Sequence, residues 1–136
     1  WGVPVDEYLK KADVWPLNPE GEIMLGIKIE NSRALVNAEM TARVSGVAFG
    51  EWGPGDMGMS LGHPDAHDAP YPEDMARARS RVMEACREGG LFFMNGVSTK
   101  DVVERIDEGV MIGSCGQDGE EATVIGRAHT GRTMPI

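Results

Sequence analysis

Short apolar runs alternate with helix-patterned segments along this chain, and no other feature constrains its fold as strongly. The run from Ile23 to Ile29 reads as a strand buried on both faces. Val47 to Trp52, Leu91 to Met94 and Val110 to Ile112 read as three more strands. Between them, Asn31 or Ser32 can cap a helix with Leu35, Ala38 and Ala42 on one side. Pro72 or Glu73 opens a longer helix with Met75, Ala78, Val82 and Cys86 on one stripe, stopped by Gly89-Gly90. Ser98 with Asp101 resembles a capping box ahead of Val102, Val103 and Ile106, and Gly109 ends that helix. Asp6 to Asp13 reads as the end of a helix, Trp15 to Gly21 as a Pro/Gly loop, and Glu120 to Arg127 as a last helix. Strand followed by helix at this spacing implies α/β architecture built from parallel βα units, in one domain over residues 1–136.

Length sharpens that expectation. The 136 residues suffice for one ordinary domain, but a closed eight-stranded βα barrel usually needs about 250. Acidic residues outnumber basic ones 22 to 13, for a net charge of -9, which disfavours a nucleic-acid partner because backbone phosphates require clustered Lys and Arg. No apolar run approaches the roughly 20 residues of a membrane span, and no signal-peptide pattern opens the sequence. Cys86 and Cys115 form no disulfide framework, so a cytoplasmic protein with reduced thiols is expected.

In parallel βα architectures, reactive groups gather where strands run into the following loops. Glu30 closes the first predicted strand, and Asp56 lies in the Gly53-Pro54-Gly55-Asp56 turn that closes the second. Consecutive parallel strands are usually neighbours, so these carboxylates can converge. Two carboxylates joined by water and substrate oxygens suit Mg²⁺ or Mn²⁺. Two surface acids at strand ends would give the same pattern. Gly53 and Gly55 permit close approach of the backbone to a ligand, and the amides near Gly55 and Asp56 can receive a carboxylate or phosphate. Trp52 is near enough to line a pocket there.

Lys28 shares a strand face with Glu30. It has two readings: an amine that forms a Schiff base if its pKa is depressed, or an ammonium paired with Glu30 or another acid. An ammonium beside a metal-binding carboxylate would also repel the cation. The segment His63-Pro64-Asp65-Ala66-His67-Asp68 reads as a polar loop over the site rather than a metal box, and His129 as a tail contact. Cys115 lacks a suitably spaced histidine partner for a thiolate nucleophile.

Three stretches carry a family resemblance: Ile27-Lys28-Ile29-Glu30-Asn31, then Val47 through Met57, then Met59-Ser60-Leu61-Gly62. Together they resemble the second half of the HpcH/HpaI aldolase/citrate lyase family, with its Ile-Glu strand end and its Gly-x-x-Asp turn at a matching interval. The resemblance runs from about Asp6 to Ile112. It implies the C-terminal half of a (β/α)8 barrel, strands five to eight, from a metal-dependent pyruvate-type aldolase. Glu30 and Asp56 match the family's metal carboxylates, and the backbone around Gly55 and Asp56 its pyruvate cradle. The implied cofactor is Mg²⁺, with Mn²⁺ or Co²⁺ as substitutes, and the implied substrates are 4-hydroxy-2-oxo acids that release pyruvate. Lys28 stands where glutamine is usual, Gly55 where alanine is usual, and Gly58 where serine is usual. The family's base histidine and enolate-binding arginine have no counterpart here. A non-catalytic half-barrel that binds a 2-oxo acid and metal, or serves as an assembly module, therefore stands as the alternative. Either way, a second copy or a complementary half is expected to cover the open sheet edges.

Overall fold

A computed structural model describes residues 1–133. The chain forms two compact units, Trp1–Phe92 and Phe93–Ile136.

The first unit opens with α1 (Val5–Lys11), an exposed helix whose acids lie in its first turn and lysines in its last, in the sense its dipole favours. Then come β1 (Val14–Trp15), β2 (Ile23–Lys28), α2 (Ser32–Val36), α3 (Ala38–Thr41), β3 (Val47–Glu51), α4 (Pro54–Leu61) and α5 (Glu73–Gly89). β1 is a correction to the loop expected at Trp15. Its two residues pair parallel with Ile23 and Met24, and the Trp15 ring stacks on Phe92 with centroids 5.7 Å apart. Two residues are too few to leave a periodic signal in sequence.

The single helix expected after Asn31 is two short pieces that meet at Asn37. The predicted cap is present: Asn31 Oδ1 accepts the Ala34 N–H at 2.9 Å. Ala38 and Ala42 are buried as expected. α5 places Met75, Ala78, Val82 and Cys86 in the core, as its stripe requires, and ends at Gly90 in the left-handed region, φ 74°. It packs on β3, where a methyl group on Gly50 would come within 2.6 Å of the Cys86 Sγ. Burial pushes the Cys86 thiol up to about 11, so it packs as a small apolar group rather than a nucleophile.

β2 differs from its predicted environment. It pairs parallel with β3 through Leu25↔Val47, Gly26↔Phe49, Ile27↔Gly50 and Lys28↔Glu51. Yet Ile23, Met24 and Leu25 are 37, 43 and 48% exposed. An apolar run reports what a strand is suited to bury; a covering layer must still be supplied, and the described part of this unit supplies none over these residues.

The second unit begins in β4 (Phe92–Gly96) and continues with α6 (Val102–Glu108), β5 (Ile112–Ser114) and α7 (Gly119–Thr130). β4 and β5 pair parallel, from Met94↔Ile112 to Gly96↔Ser114. Half of the predicted capping box forms: Asp101 Oδ1 accepts both the backbone N–H and the hydroxyl of Ser98, each at 2.7 Å. Gly126 of α7 lies under Ile106 and Val102 of α6, so the two helices pack closely. His129 Nε2 meets Asp107 Oδ1 at 2.6 Å, the structural contact expected of it. Among the described residues, no helix is long and apolar enough to cross a membrane.

Candidate functional site

The parallel ladder between β2 and β3 carries the predicted residues to one end of the sheet. Lys28 is the cross-strand partner of Glu51, and the Ile29 N–H continues the ladder to the Glu51 carbonyl at 2.9 Å. Glu30 follows at once, where β2 gives way to the Asn31 cap. From β3 the chain passes through the buried Trp52 to Gly53, which caps α4, with Pro54 in its first turn. The predicted tight turn is therefore the start of an eight-residue helix. Pro54 has no N–H, and Gly53 offers no capping side chain, which leaves the Gly55 and Asp56 amides as open first-turn donors. A helix N-terminus with open amides suits a carboxylate.

The two strand ends interlock at Gly53. A methyl group there would lie 2.3 Å from Glu30 Oε2. Glycine leaves room for the carboxylate in this position, and its side chain is 17% exposed. Glu30 Oε2 is buried and accepts no aligned hydrogen bond. Its charged neighbour is Lys28, with Nζ 3.0 Å away, close enough for an ion pair. That pairing, with Glu51 next and Asp56 also contributing, holds the Lys28 pKa above its ordinary value. Asp56 is exposed at the N-terminus of α4.

The donor types suit a hard divalent cation. A buried carboxylate oxygen is costly unless a cation compensates it, and here the Lys28 ammonium, 3.0 Å from Glu30 Oε2, does so. Among the described residues no group of three His, Cys, Asp or Glu is arranged for a metal, so this chain contributes at most a pair of carboxylates. Mg²⁺ tolerates that arrangement, because it retains waters and accepts substrate oxygens. Transition-metal binding at His63 and His67 has no such support. His63 Nε2 instead faces both carboxylate oxygens of Asp74 at 3.0 Å, which lowers the Asp74 pKa.

The segment after α4 comes close to the cradle, where a polar loop was expected. A methyl group on Gly55 would meet His67 Nδ1 at 3.3 Å, and one on Gly58 would meet the His63 carbonyl oxygen at 2.6 Å. Gly55 and Gly58 are thus the positions this loop approaches, a proximity that spacing alone did not specify. Trp52, expected to line a pocket, is 1% exposed and packs edge-on against Tyr71 at 5.1 Å, supporting the turn from within the core. Lys28 faces Glu30 as an ion-pair partner, the second of its two readings, and that pairing raises its pKa, away from the free amine a Schiff base uses.

Comparisons with known proteins agree with this fold. The sequence profile of the HpcH/HpaI aldolase/citrate lyase family matches residues 7–123. No curated protein sequence matches the chain. Among solved structures, it is similar to an HpcH/HpaI aldolase/citrate lyase family protein from Burkholderia cenocepacia, with 20% identity and a TM-score of 0.63 over 92% of this chain and 44% of that one. It is similar to the citrate lyase beta subunit of M. tuberculosis complexed with oxaloacetate and magnesium, with 18% identity and a TM-score of 0.63 over 75% of this chain and 50% of that one. The citrate synthase SbnG matches at 17% identity and a TM-score of 0.61, over 92% of this chain and 56% of its own. The chain thus spans about half the length of the structures it matches. At these identities the likeness is one of fold, a partial TIM-barrel-like α/β arrangement. With the profile covering most of the sequence, the chain belongs to the HpcH/HpaI aldolase/citrate lyase family.

Proposed function

We propose that this chain carries the metal and oxo-acid half of a carbon–carbon lyase site, acting on 4-hydroxy-2-oxo acids through a pyruvate enolate. The observation that carries this reading is the largely buried Glu30 carboxylate, set against Gly53 at the head of α4. Glu30 and Asp56 hold the divalent cation, Mg²⁺ first and Mn²⁺ or Co²⁺ in its place. The bound ion supplies Lewis acidity, drawing charge from the 2-oxo group so that the enolate is lower in energy. The Gly55 and Asp56 amides receive the substrate carboxylate, and the α4 dipole adds to their attraction. Gly53 and Pro54 shape the backbone for that approach, and Trp52 fixes the turn from below. M. tuberculosis citrate lyase beta subunit, with its oxaloacetate and magnesium, supports the ligand chemistry by analogy.

A second reading is a half-site that binds a 2-oxo acid with metal but does not turn it over. It is favoured by the lack, among the described residues, of a third His, Cys, Asp or Glu grouped with the carboxylate pair. In both readings a small 2-oxo acid such as pyruvate is the ligand, the setting is cytoplasmic, and a second copy or a complementary half completes the site.

Exchange of pyruvate methyl protons in deuterated water, followed by NMR with and without Mg²⁺, separates the two. Metal-dependent exchange, lost in Glu30→Gln and Asp56→Asn, is expected of the lyase. Mg²⁺-dependent pyruvate binding without exchange assigns the half-site. Exchange that persists in both variants removes Glu30 and Asp56 from the metal.

A further inference from the structure

Lys28 presents a cation where the proposed metal would bind. Its Nζ lies 3.0 Å from Glu30 Oε2, the same buried oxygen that accepts no aligned hydrogen bond. Glu51, its cross-strand partner, and Asp56 also attract the ammonium. The arrangement is asymmetric: the Glu30 side chain is 17% exposed, whereas that of Lys28 is 54% exposed. The lysine is the partner with ready access to solvent.

Resting on the metal reading above, we propose that Lys28 is a placeholder cation. Its ammonium occupies the divalent ion's place at Glu30 and must withdraw before the ion binds, so Lys28 sets the metal affinity of the site. Two cations cannot share one carboxylate oxygen at contact distance without strong repulsion. In the metal-free protein the ammonium compensates a carboxylate that would otherwise be buried alone, which preserves the site. When the ion arrives, the long stem carries the charge toward Glu51 or into solvent without disturbing the strand. Because the lysine is half-exposed, solvent screening limits the penalty, and removing the ammonium should tighten metal binding by about five- to tenfold. Glutamine at this position would keep polarity without the charge.

Mn²⁺ alone is a sufficient probe, titrated against the full chain with free ion read by electron paramagnetic resonance at two salt concentrations. Lys28→Gln and Lys28→Met should bind Mn²⁺ about five- to tenfold more tightly than the parent, with a smaller gain at high salt. Lys28→Arg, which retains the charge, should not gain affinity. Circular dichroism checks that each variant is folded. If Lys28→Gln and Lys28→Met bind no more tightly while Glu30→Gln loses Mn²⁺, the placeholder role is overturned and the metal reading stands. If Glu30→Gln binds Mn²⁺ as the parent does, or if neither the parent nor Lys28→Gln binds it, both fail.

Discussion

A methyl group placed on Gly53 would lie 2.3 Å from Glu30 Oε2, closer than any stable contact permits. Gly53→Ala therefore has to displace the carboxylate or the start of α4. We expect Mn²⁺ affinity to fall about tenfold or more, as happens when the support of a metal ligand is disturbed. Folding stability should fall by about 1–3 kcal/mol through local overpacking. Titration with Mn²⁺ beside urea unfolding measures both, and an unchanged affinity would detach Gly53 from the metal site. At this scale the sequence was informative about identity and silent about approach. The placement of Glu30, Asp56 and the glycine turn at the strand ends was legible from spacing. That Glu30 is buried against Gly53, or that His67 stands over Gly55, depends on the path of segments distant in sequence, which no local pattern encodes.

Between elements, α3 and α5 are joined by a two-pronged ion pair. Arg81 Nε donates to Glu39 Oε1 at 2.8 Å and its second nitrogen to Oε2 at 3.0 Å. The guanidinium holds the Glu39 carboxyl well below its ordinary value of 4.5, at about 2. A carboxylate with a depressed folded pKa stabilises the fold above its unfolded pKa, and that contribution is lost as pH falls through the folded value. The Glu39–Arg81 contribution is thus complete above about pH 4.5 and disappears toward pH 2. Glu39→Gln should be less stable than the parent at neutral pH, and the difference should close as pH falls across that window. Urea midpoints at stepped pH measure it, and a gap that stays constant would show that the pair does not govern the titration. Helix α5 itself was legible in outline, because a seventeen-residue amphipathic stripe averages over local exceptions. The break at Asn37 and the two-residue β1 were not, since elements of that size owe their existence to their neighbours.

For the whole molecule, the exposed flank of β2 has the largest consequence. Ile23, Met24 and Leu25 are open to solvent, as is Leu17 in the preceding loop. β1 covers only Ile23 and Met24 along one edge of β2, so among the described residues Leu25 to Lys28 have a strand partner on the β3 side alone. An apolar strand with a free edge invites pairing. We expect light scattering at low micromolar concentration to give at least twice the 14.7 kDa chain mass. Leu25→Lys, which puts charge on that edge, should shift the population toward monomer. A monomeric parent chain would remove association as the means of covering β2.

The sequence by itself determined the βα alternation, the buried stripe of α5, the Asn31 cap and the acidic strand ends, because each is written in residues a few positions apart. It also carried the family, through motifs whose spacing reflects one strand-to-strand step of the fold. Tertiary structure alone decided which apolar residues find a covering layer, so β2 is exposed although its sequence suits burial. The Lys28–Glu30 pairing was already suggested by their shared strand face, but tertiary structure alone buried the carboxylate oxygen beside Gly53. Burial and electrostatics depend on what approaches from elsewhere in the chain, and there the local pattern ceases to speak.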